Sequence, residues 1–506
     1  MNHTTDNRPD LHKRPFYRPH VTSAAPPSVQ AHEHHLHDRA PPARPSTTTT
    51  DHNHDLDLDH SHSHSHSRPN TTEHTPQPQP QPRPRPPKEP PMAPPRLTVI
   101  GGGFAGLTAA ISAAESGAAV TLYEAHRTLG GRARTADAPY RTNEGAHALY
   151  NRGPHWPWLK QRGLLPPLAT LPPLEATRMR FLHHGTLHRL PPLGMVTTLR
   201  RHRTAPVDQD FLSWASSKVG EPTARAAAHY VGVSTFHHDP GSLSAAFVQE
   251  RLRRSTNLPA EAHYVAGGWG TLIDGMARHA RDLGVRIETG ARVETLPEDT
   301  PVIVATHLGS ARALLKDDRL RWSSARAALL DLAIRTRRGD PFVVSGLDFP
   351  GWIERFTAPD PSLAPKGEQL LQGHFGIAPD EPRAAGIARA ERLLDAGFPN
   401  WRERTTWRRE SLSTGRTGAV DLPGTTWRDR PAIDRGHGVY LAGDQVAAPG
   451  LLSEVSFTSA LEAVTLALAG GPRPPAHTHA HGASTRRTDQ AAAPSGTRSP
   501  DRTSAQ

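Results

Sequence analysis

The chain has 506 residues, no cysteine and a formal charge of +10. That length exceeds the roughly 100–200 residues of one domain, so a large core and more than one subdomain are expected. The missing thiols exclude disulfides, zinc-thiolate sites, iron–sulfur clusters, a cysteine nucleophile and a flavin tethered through a thioether, and arginines spread along the chain without interleaved aromatics argue against nucleic acid.

Residues 1–94 carry runs such as His60-Ser61-His62-Ser63-His64 and Gln77-Pro78-Gln79-Pro80. Such a segment buries too little apolar surface to offset its ordering entropy, so a disordered His/Pro-rich tail is predicted. The imidazoles give it weak divalent-metal affinity without preset geometry. Residues 472–506 read the same way, and no metal ligand set is assigned in the folded part. The N-terminus Met1–Asp6 is polar and no run approaches the ~18 apolar residues of a membrane span, so a cytoplasmic protein without an integral membrane segment is expected.

Leu97–Ile100 is a short apolar, β-branched run, followed by Gly101-Gly102-Gly103-Phe104-Ala105-Gly106 and an Ala-rich helical pattern to Glu115. Strand, glycine turn and helix stand in the order of a dinucleotide site. Gly101 permits the tight turn, Gly103 lets backbone approach a pyrophosphate, and Gly106 lets the helix pack on the strand. Phe104 and Ala105 open the helix whose positive end receives the phosphates. A second strand, Ala119–Tyr123, ends at Glu124, placed to accept hydrogen bonds from ribose hydroxyls. NAD and FAD both satisfy these constraints.

Leu129-Gly130-Gly131-Arg132-Ala133-Arg134 resembles the GGR element of the FAD-dependent family that includes amine oxidases, protoporphyrinogen oxidases and phytoene desaturases. The resemblance implies that this element passes beneath a flavin and its pyrophosphate, with Gly131 packed on the cofactor and Arg132 offsetting diphosphate charge. Asn143-Glu144-Gly145-Ala146-His147 resembles the family's next segment, which usually has Asp-x-Gly; Asn143 replaces that acid. Gly145 and Ala146 are then cofactor contacts, and His147 either faces the isoalloxazine or is a structural histidine. By the same resemblance Val293, after the strand Val285–Thr289, binds adenine through its backbone, although only residues 294–300 separate it from the next strand, where the family usually has a longer hairpin. Gly438–Asp444 resembles the second flavin motif: Gly443 and Asp444 hold the ribityl or pyrophosphate part, and a helix running from Val455 aims its positive end at the ring, which favours an anionic reduced flavin. No second GxGxxG is present, so a reductase with separate FAD and NAD domains is not expected.

Met179–Pro191 alternates about a His-Gly turn and predicts a hairpin. It resembles one that phytoene desaturases and protoporphyrinogen oxidases carry there, as does Asp239–Ala245 before a helix. Trp352, Phe356, Trp269 and Phe457 are read as core ahead of substrate contacts.

The predicted fold class is α/β: a Rossmann-like FAD-binding domain (residues 95–150, 261–320 and 431–471) with a discontinuous α+β substrate-covering domain (151–260 and 321–430) between disordered tails. The implied function is an FAD-dependent oxidoreductase that passes a hydride equivalent from a small, apolar organic substrate to noncovalent FAD, with no catalytic acid or base assigned. A flavin amine oxidase and a non-catalytic FAD-binding protein are the alternatives.

Overall fold

In a computed structural model of the chain the first strand, β1 (Arg96–Ile100), buries Leu97 to Ile100, and parallel neighbours flank it on both sides. The described residues are 94–470, Ala146 and Asp299 excepted; the expectations for the two tails, and the contact expected of Ala146, lie outside them. Near-continuous apolar strands belong in a sheet covered on both faces. Five strands line up in the order 439–441, 302–304, β1, β2 (Ala119–Glu124) and 286–289, all parallel, the last of them a polar edge. The chain leaves β1 toward β2 and later returns to β1's other side, so the loop after β1 sits at a switch point, where a parallel sheet opens a crevice for a ligand.

The helix after that loop, α1 (Phe104–Glu115), is built mainly of Ala and Gly. Small side chains let it lie close to β1 and to the helix Ser453–Ala469, which presents Ala460, Ala463 and Ala467 to the same core. The helix Gly270–Asp282 buries Leu272, Ile273, Met276, Ala277 and Ala280, one face at helical spacing. Trp158 and Leu159 of the helix His155–Gln161, with Leu164 and Leu165 after it, join this core too.

A second sheet of seven strands runs 405–419, 324–335, 368–376, 352–355, 343–346, 180–183, 186–188. Its neighbours are antiparallel except 343–346 with 180–183. The last two strands are the hairpin that the sequence predicts. One face packs on the helix Arg383–Gly397, through Leu371, Phe375, Leu393 and Leu394 among others. A small sheet of 149–150, 262–265 and 168–169 completes the strands.

One charged knot ties these parts together. Arg254 donates to Glu261 (2.8 Å) and to Glu454 (2.8 Å) in the first turn of the helix Ser453–Ala469, and the two carboxylate side chains are only 2 % and 4 % exposed. Removing one partner from a buried ion cluster leaves charge without compensation. Arg254→Ala is expected to destabilise the protein by about 3–5 kcal/mol, read as a lower denaturant midpoint at unchanged m-value, and adding Glu261→Gln and Glu454→Gln should recover much of the loss. A single variant that unfolds like the parent would show the two carboxylates to be solvated.

Candidate dinucleotide site and the buried cluster beside it

The glycine loop is held by the strands around it. Gly101 has a φ of +110°, and a Cβ there would lie 2.7 Å from the Ala305 carbonyl at the end of the neighbouring strand. A Cβ on Gly106 would lie 1.8 Å from the Gly101 carbonyl, so only hydrogen lets α1 approach the turn. Gly103 differs. Its φ of −80° suits any residue, and a Cβ would meet nothing nearer than the Gly130 carbonyl at 3.7 Å. No side chain caps α1 at Gly103, which leaves its first-turn amides turned to the open side of the loop.

The GGR element docks onto this loop. The Gly130 amide donates to the Gly102 carbonyl (2.8 Å), and Gly103 and Gly130 form a parallel bridge. Gly131, at φ +54°, has no neighbour within 3.9 Å of a built Cβ, so its backbone too faces open space. Arg132 reaches across to Asp444 (2.6 Å) and the Arg416 carbonyl (2.8 Å). Gly443, with a φ of +149°, and Asp444 follow the strand Val439–Leu441, and the Gly443 amide and carbonyl both bond the Ser459 hydroxyl of the last helix. That helix starts at Ser453, two residues before the predicted Val455, whose side chain is buried and whose amide bonds the Leu452 carbonyl at 3.2 Å.

At the other end of the loop Glu124 is buried, and its carboxylate accepts from the amides of Gly102 (2.7 Å) and His126 (2.8 Å). Each oxygen keeps a second lone-pair direction. The Glu124 carbonyl accepts from Ala291 (2.9 Å), which brings Val293 beside the end of β2. Gly101, Gly103, Gly106, Glu124, Gly131, Arg132, Gly443 and Asp444 therefore belong to one contiguous cradle. Phe104 and Ala105 form the buried first turn of α1, with the Phe104 ring edge-on to Trp269. Gly145 is packed against Arg132, 3.2 Å from a built Cβ to that side chain's own.

Asn143, the departure from the family's acid, is explained by its partners. Its side-chain oxygen accepts from the Thr135 hydroxyl and the Trp269 amide, both at 3.0 Å, while Thr135 accepts from the Gly270 amide at 2.8 Å. Together they satisfy the start of the helix Gly270–Asp282. At 6 % exposure a neutral acceptor does this without burying a charge. The Gln372 amide side chain brackets the Asn143 backbone, and Arg409 clamps the flanking residues through Thr142 and Glu144.

Gln372 belongs to a face that sequence reasoning missed. Along the strand Glu368–Gly376, alternate residues point to one side, and Glu368, Gln372 and His374 meet Tyr140, Asn143 and His147 in turn. The next strand adds Trp352 and Glu354 opposite His374 and Gln372. Polar residues at period two inside an apolar strand were the available signal. The His147 and His374 rings are 4.5 Å apart, with Phe356 against the first and Phe236 and Trp352 against the second. His147 donates to the Asn143 carbonyl, and its Nε2, like Nδ1 of His374, is buried without a hydrogen-bond partner. Burial pulls His147 down to about 4 and His374 well below the ordinary imidazole value, so both rings are neutral at pH 7. Burial also pushes the Glu354 carboxyl up to about 7, against the Tyr264 hydroxyl that bonds it. Trp269 and Phe457 are core, as read from sequence. A surface groove of about 690 Å³ between the helix Arg383–Gly397 and the strand Thr405–Ala419 contains none of these residues.

Residues 99–162 match the family described as an NAD(P)-binding Rossmann-like domain. No curated protein matches the sequence. Among solved structures, an oxidoreductase from Methanosarcina mazei is 18 % identical with a TM-score of 0.61, the alignment covering 73 % of this chain and all of that one. Cyclohexylamine oxidase from Brevibacterium oxydans is 17 % identical with a TM-score of 0.55, covering 75 % and 99 %. Reduced UDP-galactopyranose mutase is 13 % identical with a TM-score of 0.54, covering 74 % and 96 %. The described part of the chain thus has the fold of these proteins from end to end, an α/β fold with a Rossmann-like parallel sheet. Among the described residues no helix is long and apolar enough to cross a membrane.

The raised pKa of Glu354 has a measurable sign. In the folded protein the carboxyl keeps its proton up to about pH 7, whereas the unfolded chain releases it near the ordinary glutamate value of 4.5. Stability from this group is complete below 4.5 and declines as pH rises to about 7, by on the order of 3 kcal/mol. Against Glu354→Gln, the parent should lose melting temperature across that window and run parallel above it. Parallel curves throughout would mean that Glu354 is ionised in the fold.

Proposed function

We propose that this chain is an FAD-dependent oxidoreductase of the dehydrogenase, desaturase or oxidase type that holds FAD noncovalently and acts on a small, predominantly apolar organic molecule. The observation that carries the reading is the joining of Arg132 to Asp444 over a loop in which Gly103 has no side chain although neither its φ nor any protein neighbour forbids one. A ligand backbone lying on Gly103 supplies the reason for it. The donor set fits a dinucleotide: free first-turn amides and Arg132 for the diphosphate, and Glu124 for ribose hydroxyls. The pairing of the GGR element with Gly443-Asp444 supports FAD over NAD, because it joins the two segments that resemble flavin motifs. The solved relatives named above as oxidoreductase and oxidase agree with it.

FAD, when bound, accepts two electrons as a hydride and passes them to oxygen or another acceptor. This chain's own residues orient the reactant and exclude water. His147 Nε2 bears a lone pair, because its other nitrogen holds the hydrogen toward Asn143; it can accept a hydrogen bond, or the proton released as the substrate is oxidised. Phe236, Trp352 and Phe356 surround the histidine pair with apolar surface. With both imidazoles neutral and aromatic rings around them, the histidine pair offers an apolar enclosure with one free lone pair. That supports an apolar substrate with one polar handle.

The purified full-length protein is expected to be yellow and to release intact FAD in acid, since no cysteine is available for a thioether and no other residue marks a covalent attachment. Gly103→Ala should fold with a melting temperature near that of the parent apoprotein while binding FAD at least ~tenfold more weakly, about 1.4 kcal/mol. Gly106→Ala should instead lose the fold. A colourless protein that FAD does not reconstitute, or a Gly103→Ala variant with parental FAD affinity, would overturn the proposal.

A further inference from the structure

The predicted hairpin brings a second set of side chains together. The strand Arg180–His183 ends in a two-residue turn, His184-Gly185, with φ of +50° and +71°. Paired positive φ values are the tight hairpin geometry that lets two antiparallel strands twist together. The parallel neighbour Val343–Gly346 runs alongside and delivers Asp348 to this turn, where its carboxylate accepts from the amides of His184 (2.7 Å) and Gly185 (2.9 Å). Those two bonds fix the carboxylate and leave each oxygen a lone pair.

The turn needs nothing more, yet two imidazoles stand over the same carboxylate. The His183 and His184 rings are 3.9 Å apart, and His183 Nδ1 lies 3.6 Å from Asp348 Oδ1. His183 Nδ1 is buried and has no hydrogen-bond partner. One donor atom from each of the three residues falls within 4.8 Å of the others. Bond lengths of about 2.0–2.1 Å around a tetrahedral ion place donors roughly 3.3 Å apart, a separation that rotation of the exposed His184 side chain brings within reach.

We propose that His183, His184 and Asp348 form a site for a divalent first-row cation of the zinc type, with water in the fourth position. Two imidazoles and one carboxylate match the nitrogen and oxygen ligands such ions prefer. The backbone amides on Asp348 act as the outer partners that orient a metal-binding carboxylate. The ion would clip the last hairpin of the seven-stranded sheet to the loop after Gly346, closing an edge otherwise held by few hydrogen bonds. The site lies apart from the glycine cradle in sequence and stands independently of the FAD reading.

Zinc ions added at one equivalent to the full-length protein are the probe. Carbethoxylation of each histidine, mapped by mass spectrometry, separates this site from the histidine-rich residues before 94. Zinc should slow modification of both His183 and His184 at least tenfold and raise the melting temperature. Asp348→Ala should abolish that protection. His184→Asn provides a second variant that preserves the turn, since Asn tolerates positive φ, and it should remove the protection of His183. Equal modification rates with and without zinc, or protection of His183 that persists in both variants, would overturn the proposal and leave Asp348 as the closure of a turn.

Discussion

The contact between Arg132 and Asp444 joins residues 312 positions apart and makes a single site from three separate glycine-rich segments. One carboxylate and one guanidinium at 2.6 Å hold the GGR element over the opening loop, while the Gly130 amide on the Gly102 carbonyl holds its backbone there. Such a pair at a crevice is worth less as a stabiliser than as a positioning device, since Arg132 is 40 % exposed and solvent screens it. Its effect is to set the width of the cradle. The central strands of the five-stranded sheet end near this point, the first helix starts there, and the last helix is tied to it through Ser459 and Gly443.

Glycine serves two different ends within the cradle. Gly101 and Gly106 are required by the protein itself, through a positive φ at the first and a carbonyl 1.8 Å from a built Cβ at the second. Gly131 is likewise set by its own φ of +54°, whereas Gly103 meets neither constraint. A spacing motif cannot make this distinction, because Gly101, Gly103 and Gly106 contribute identically to it.

Beside the cradle, the second sheet contributes a pair of neutral imidazoles. Burial lowers the proton affinity of His147 and His374 and raises that of the Glu354 carboxyl to about 7. The unpartnered nitrogens at His147 and His374 are an open hydrogen-bonding capacity in an otherwise aromatic enclosure. The register between the strands Trp352–Arg355 and Glu368–Gly376 places Trp352 and Glu354 on that same face.

The βαβ unit, the GGR element, the hairpin about His184 and the terminal strand and helix were legible in the sequence, because each is written in local terms: turn residues, a period and a spacing over fewer than thirty residues. The partners of Asn143 were not. Its amide satisfies a helix start 126 residues downstream and is braced by Gln372, and no local pattern encodes a contact over that separation. The contacts of Asp348 and the meeting of His147 with His374 were hidden for the same reason. Local sequence determines which backbone a segment adopts and which faces it offers. Which side chains then face one another, and with what proton affinity, depends on burial and on register between distant strands, and these exist only once the chain has packed.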